Sequence, residues 1–179
     1  MPRSSTNAPR FWAVVLVILA ADIVTKAWAV SALVPHVTTI QVLGDWLQFR
    51  LVYNPGAAFG LYLGPYSRWI FLALTVGALV ILWRLYRETR SGDAPRVLAL
   101  ALVCAGAVGN LIDRVRSERG VVDFIDVGVG ALRWPTFNIA DMAVSVGAFL
   151  LAWVLWGEES PAASGAKAAV APAGEGERR

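Results

Sequence analysis

The blocks Gly109-Asn110-Leu111-Ile112-Asp113-Arg114, Val121-Val122-Asp123-Phe124 and Phe137-Asn138-Ile139-Ala140-Asp141 decide how this chain is read. They set three carboxylates, two asparagines and an arginine at or near the ends of two apolar segments. Polar groups so close to hydrocarbon are expensive, and they persist where they pair with one another or take part in function. The reading turns on which of them meet.

Around these blocks the chain is too apolar for a soluble domain: 57% of its 179 residues are hydrophobic and only 16% are charged. The class is integral membrane, and the length fits one domain. The net charge of +3 does not point to nucleic acid, because most basic residues flank apolar runs instead of gathering on one soluble face. Cys104 has no second cysteine to pair with, and one Cys with His36 as the single His cannot build a metal site.

Four spans are expected, at about 11–34, 69–86, 97–112 and 138–156. The first could be mistaken for a secretory signal, since Ala27-Trp28-Ala29 mimics a cleavage site after a basic start, but Asp22 and Lys26 interrupt the apolar region such a signal needs. The second carries Trp69 at one end and Trp83 with Tyr86 at the other, placed as interfacial anchors. In the third, Gly106 and Gly109 with Ala105 and Ala107 make a small-residue face for close helix packing. Residues 1–10 read as a basic tail on the cytoplasmic side, and 157–179, rich in Ala, Gly, Pro, Glu and Ser, as a disordered, dispensable one.

Between the first two spans the apolar pattern breaks at Pro35, Gly44, Pro55, Gly56, Gly60, Gly64 and Pro65. Thr38 to Gln41 and Trp46 to Tyr53 are rich in β-branched and aromatic residues and predict short strands. The expected architecture is an all-α membrane protein with four transmembrane helices and a small extramembrane β-rich platform between helices 1 and 2. Residues 113–136 form a second extramembrane loop. The termini and the 84–96 loop hold nine Lys and Arg against six in the other two loops, so the positive-inside rule puts both termini in the cytoplasm and the Asn54 and Asp123 loops outside.

Candidate chemistry follows by elimination. Nothing in the spacing favours a Cys104–His36 pair, and a Ser–Lys dyad of Lys26 with Ser31 or Ser145 competes with Asp22, which lies one helical turn from Lys26. Asp22 and Lys26 can neutralise each other, either as an ion pair that locks the first helix into the bundle or as a support for an active site. Carboxylates remain. Asp141 lies one turn inside the fourth span with Asn138 three residues earlier on the same face, and Asp123 sits in a short apolar run held against the membrane surface. Two facing carboxylates cannot both ionise easily, and such a pair can do the work of an aspartic protease. The plainer alternatives are a helix-end charge at Asp141 and a solvated loop acid at Asp123 or Asp126. Asp113, at the end of the third span beside Arg114, fits an ion pair or a helix-end role. Asn110 and Asn138 can hold a substrate backbone or orient the carboxylates, and Arg114 can bind a carbonyl or lipid ester oxygen. Asn54-Pro55-Gly56 signals a turn, after which small residues allow close backbone approach.

Taken with Asp22-Ile23-Val24-Thr25-Lys26 and Asn54-Pro55-Gly56-Ala57-Ala58-Phe59-Gly60, the three opening blocks closely resemble the lipoprotein signal peptidases (signal peptidase II), integral-membrane aspartyl peptidases. Five motifs fall in the family's order and spacing between about residues 11 and 156. The resemblance implies Asp123 and Asp141 as the catalytic pair, substrate and inhibitor contact for Asn54, Asn110, Arg114 and Asn138, and supporting roles for Asp22, Lys26, Gly56 and Asp113. It implies removal of the signal peptide from diacylglyceryl-modified prolipoproteins before the lipidated cysteine, with no cofactor or metal. The implied setting is the bacterial inner membrane, with membrane lipids around a monomer, a lateral opening toward lipid and globomycin-like inhibitors. Two rival readings are a proton relay through Asp22, Lys26, Asp113 and Asp141, which needs ionisable groups at several depths, and a lipid-binding scaffold, which needs the Asn and Asp positions to tolerate substitution.

Overall fold

The computed structural model describes residues 7–34, 37–56 and 63–168, with side chains described to residue 157. Four helices carry the apolar runs: α1 (Ala8–Ala32), α2 (Ser67–Glu88), α3 (Ala94–Arg116) and α4 (Ile139–Ala168). Each is long and apolar enough to cross a membrane, α4 over Ile139–Gly157. Large side chains on their outer faces lie open, Leu16 at 62%, Phe149 at 71% and Trp153 at 72% exposure. In water such surfaces would aggregate; against lipid tails they cost nothing. The backbone of α4 is helical as far as Ala168, into the stretch expected as a disordered tail.

Local chemistry sets the helix ends. Pro9 and Pro95 stand in the first turns of α1 and α3, where a missing N–H costs no bond, and the Asp93 carboxylate caps α3 by accepting from Arg96 N–H at 3.2 Å. Asn7, just before α1, donates to the Arg90 carbonyl at 2.8 Å and accepts from Gly92 N–H at 3.0 Å, tying the chain start to the α2–α3 turn.

Helix α3 is the central element and packs on α1, α2 and α4. The sequence shows why it can. A Cβ on Gly106 would collide with the Ala140 carbonyl and the Val144 side chain, and one on Gly109 would sit 2.5 Å from Asp22 Oδ2, so glycine at both places lets α4 and α1 close onto α3. One half of the bundle is filled by Phe11, Val15, Leu82, Tyr86, Val97, Leu100 and Cys104, with Phe11 and Tyr86 rings 4.2 Å apart. At the other end Ala29 and Leu33 of α1 pack on sheet residues Leu51, Val122 and Phe124.

The sheet has four antiparallel strands in the order β1 (Thr39–Leu43), β2 (Leu47–Asn54), β3 (Val121–Val129) and β4 (Leu132–Arg133). The expected platform strands between the first two spans are present as β1 and β2. The other half of the sheet, β3 and β4, lies within residues 113–136, expected as an extramembrane loop. Strand β3 runs along β2 with Val52 opposite Asp123 and Asn54 opposite Val121, and Phe137 adds a bridge to Ile125 just before α4. The sheet therefore brings both candidate loops to the mouth of α4. Asp126, for which a solvated loop acid was one alternative, is 2% exposed and paired with Arg133 at 3.0 Å and Arg50 at 3.5 Å, because β3 carries it into the sheet. Arg133 also reaches the Asp45 carbonyl at 2.6 Å, fastening the two hairpins together.

Candidate active site

Asp123 and Asp141 arrive from different elements, β3 and the first turn of α4, and Asn138 lies between them. Its Nδ2 donates to Asp123 Oδ1 at 2.7 Å, its Oδ1 accepts from Asp141 N–H at 2.9 Å, and its own N–H donates to Asp141 Oδ2 at 3.2 Å. The last two bonds are a reciprocal cap: Asn138 closes the start of α4, and the carboxyl three residues on reaches back. The cap needed for the helix thus also aims Asp141.

The remaining oxygens are taken by two more amides. Asn54 Nδ2 donates to Asp123 Oδ2 at 3.1 Å, and Asn110 Nδ2 donates to Asp141 Oδ1 at 2.7 Å. Asn54 is at the end of β2, where Gly120 packs against it with φ +101°. A Cβ on Gly120 would strike the Asn54 carbonyl, so glycine here serves both the left-handed turn and the approach of Asn54 to Asp123. Sequence reading did not single out Gly120.

Arg114 is buried at the end of α3. It donates to the Gly56 carbonyl at 3.0 Å and the Asn110 carbonyl at 3.3 Å, with its guanidinium 5.8 Å above the Phe71 ring. Its Nε has no partner among the described residues. In this state Arg114 anchors the Asn54-Pro55-Gly56 turn through the Gly56 carbonyl.

Behind the carboxylates lies a second polar cluster. Lys26 Nζ is 2.8 Å from Asp22 Oδ2, 2.8 Å from Asp113 Oδ2 and 3.1 Å from Asn110 Oδ1. Asp22 Oδ1 accepts from Ala140 N–H at 2.9 Å, satisfying an end group of α4, and Asp113 Oδ2 accepts from Val122 N–H at 3.2 Å. The ion pair of Asp113 is therefore with Lys26, on another helix, and not with its neighbour Arg114. All three ammonium donors are used, so Lys26 is not a base for Ser31, whose hydroxyl donates to the Trp28 carbonyl at 2.8 Å. Cys104 is packed in the bundle core, and His36 lies outside the described residues. The ionisable groups of the relay reading gather in this one network instead of being spread along the helices.

A cleft of about 520 Å³ opens over the pair, lined by Asn54, Asn110, Arg114, Asp123 and Asp141 and by apolar residues of α4 and the 134–137 segment. Among the described residues no cluster of His, Cys, Asp and Glu is suited to hold a metal. The cleft has acids, amide donors and an apolar wall. Such a set can activate water and hold a peptide backbone.

Asp123 is 2% exposed, and burial first, then the Asp141 charge, raises its pKa from 3.8 to about 7 against the opposing bonds from Asn54 and Asn138 and the Lys26 charge. A carboxyl with a raised pKa costs the fold nothing below pH 3.8 and progressively more as pH rises through about 7. Asp123→Asn removes that cost. Thermal melts of the purified variant should gain on the parent between pH 4 and pH 8, by up to ~4 kcal/mol from a 3.8-to-7 change at ~1.4 per unit. Parallel melting curves over that range would mean that Asp123 ionises as an ordinary carboxyl.

A family model described as "Signal peptidase (SPase) II" matches residues 14–157. The chain is 44% identical over 135 residues to the lipoprotein signal peptidase of Desulforapulum autotrophicum, covering 73% of this chain and 82% of that protein. It is 40% identical over 152 residues to that of Hydrogenovibrio crunogenus, covering 83% and 85%. Among solved structures it resembles a bacterial membrane enzyme determined by the in meso method at 2.3 Å, with TM-score 0.78 and 28% identity over 86% of this chain and 91% of that one.

Proposed function

We propose, since this chain belongs to the signal peptidase II family and is a multi-pass membrane peptidase of lipoprotein signal sequences, that it works as an aspartyl endopeptidase cutting before a diacylglyceryl cysteine. The observation that carries the reading is the meeting of Asp123 and Asp141 across Asn138 in an open cleft. One carboxyl is ionised and takes a proton from water as the water oxygen attacks the scissile carbonyl. The other, protonated, donates to the carbonyl oxygen as negative charge builds there. The buried Asp123 is suited to hold that proton near neutral pH. Collapse of the tetrahedral intermediate breaks the C–N bond, and the proton taken from water passes to the leaving amine of the lipidated cysteine.

Asn54, Asn110, Asn138 and Arg114 bind the substrate backbone, and the apolar residues of α4 that line the cleft receive signal-peptide and acyl groups from the lipid side. Globomycin-like inhibitors occupy the same cleft. The enzyme sits as a monomer in the bacterial inner membrane with cytoplasmic termini and its site at the outer face. The basic 84–96 turn supports that orientation. The test is cleavage of a purified diacylglyceryl prolipoprotein by the reconstituted enzyme, with products separated on gels and the new amino terminus sequenced. A cysteine-first product is expected; an intact precursor, or a cut elsewhere, overturns the reading.

A further inference from the structure

Three asparagine side chains present N–H groups to the carboxylates, and the partner of each amide's oxygen fixes which way that amide faces. Asn54 Oδ1 accepts from Gly56 N–H at 3.0 Å, and Asn138 Oδ1 from Asp141 N–H at 2.9 Å. Both are backbone donors, fixed by the chain. Asn110 has no such anchor among its hydrogen bonds: its Oδ1 accepts from Lys26 Nζ and from Asn138 Nδ2, each at 3.1 Å. The Asn138 amide has two hydrogens for three acceptors, Asp123 Oδ1, Asn110 Oδ1 and the Val122 carbonyl, so its hold on Asn110 is shared. The ammonium, with three hydrogens for three acceptors, spends one of them on Asn110.

We propose that Lys26 is a positioning residue of the peptidase: by holding the oxygen of Asn110 it turns that amide's N–H toward Asp141 and keeps this carboxylate aimed at the cleft. The reasoning is one of donors and acceptors. An ammonium can only donate, so the atom it meets must be the amide oxygen. Rotating Asn110 by half a turn would set donor against donor at Lys26 and oxygen against oxygen at Asp141. Lys26 itself is located by Asp22 on its own helix and Asp113 on α3, and those acids hold the first turn of α4 and the start of β3, the two elements that bear the catalytic pair. Lys26 is buried behind the site and is not among the residues lining the cleft. Its influence therefore passes through Asn110. This inference rests on the aspartyl reading above.

The test removes the ammonium without changing the net charge of the cluster. Asp22, Lys26 and Asp113 together carry one negative charge, and the double variant Asp22→Asn/Lys26→Met keeps that charge on Asp113. Asp22→Asn alone is the control that keeps the Lys26–Asn110 bond. Expected for the double variant is a kcat loss of about 10- to 100-fold relative to the parent, whose cluster charge it shares, against a smaller loss in the Asp22→Asn control, with KM changed less than kcat because the loss of aim outweighs any loss of the Asn110 contact to substrate. The acid side of its pH–rate profile should move to higher pH. In an Asn110→Ala background the same loss of Lys26 should cost less than about twofold, because the residue it acts through is gone.

If the double variant does not accumulate, Lys26→Gln, neutral but still a donor, is compared in the same two backgrounds and should show an intermediate loss with the same dependence on Asn110. A parent-like kcat and pH profile, or an equal loss in both backgrounds, overturns the proposal and leaves Lys26 a purely structural ion. Asp141→Asn assayed alongside separates the two ideas: activity there removes the aspartyl mechanism, whereas an inactive Asp141→Asn with an unaffected Lys26 variant removes this inference alone.

Discussion

Asp123→Asn and Asp141→Asn are each expected to lower turnover by ~10⁴-fold or more while leaving the fold and the binding of precursor in place. Asparagine keeps the shape of the side chain and, with its one oxygen, keeps one of the two bonds that each carboxyl accepts, but it cannot take a proton from water or share one with its partner. In the proposed mechanism the two carboxylates act as a unit, so the double variant should be scarcely slower than either single one. Activity should follow a bell in pH whose limits belong to the pair, with the alkaline limb set by loss of the proton that burial holds on Asp123 to about pH 7. Asp113→Asn and Asp126→Asn should keep measurable activity. Asp113 bonds to Lys26 and the Val122 amide, and Asp126 bonds to arginines along the sheet. Normal turnover by either the Asp123 or the Asp141 variant would remove the mechanism.

Much of this site was legible because a membrane simplifies the code. A span must be an unbroken apolar run, so the four helices stand out, and a polar residue near a span end is already a candidate. The helical spacing of Asn138 and Asp141 put both on one face, and their reciprocal cap follows from it. Strand β3 was harder to see. Alternation marks a strand with one wet face, but β3 is covered on both sides at its start, so Val121 to Asp126 reads as an apolar run carrying two acids. Its partner β2 lies 69 residues away in the Asn54–Asp123 contact, a separation no local pattern encodes.

The partner of Asp113 was hidden for the same reason. Sequence offers Arg114 next door, but neighbours on a helix point about 100° apart. The structure instead brings Lys26 across from α1, whose Asp22 carboxylate fills the space that Gly109 leaves. The pairing of Asp22 with Lys26 allowed two accounts, a lock between helices and a support for the site, and the structure has bonds of both kinds: Asp22 to the first turn of α4, and Lys26 to Asn110.

Precursors carrying the diacylglyceryl group should be cleaved at least ~100-fold faster, in kcat/KM, than the same precursors with an unmodified cysteine. The argument is one of depth. Asp141 lies in the first turn of α4 and Asp123 in the strand beside it, so the proposed mechanism sets the scissile bond where the bundle meets the sheet. A signal-peptide helix alone can slide along the membrane normal, carrying its scissile bond above or below that level. Acyl chains attached one residue past the bond remove this freedom, since each methylene drawn out of hydrocarbon costs ~0.8 kcal/mol. The cleft is open and its α4 wall apolar, Met142 and Val146 among its residues, which suits chains entering from the lipid side. Shortening the acyl chains stepwise should then lower kcat/KM in steps, while lengthening the hydrophobic part of the signal peptide should not restore it. The measurement is initial rates on a series of precursors differing only at the cysteine, in bilayers of fixed composition. Equal rates for lipidated and unmodified precursor would mean that the peptide alone sets the depth of the bond, and the apolar wall of the cleft would then be a groove for the signal-peptide helix.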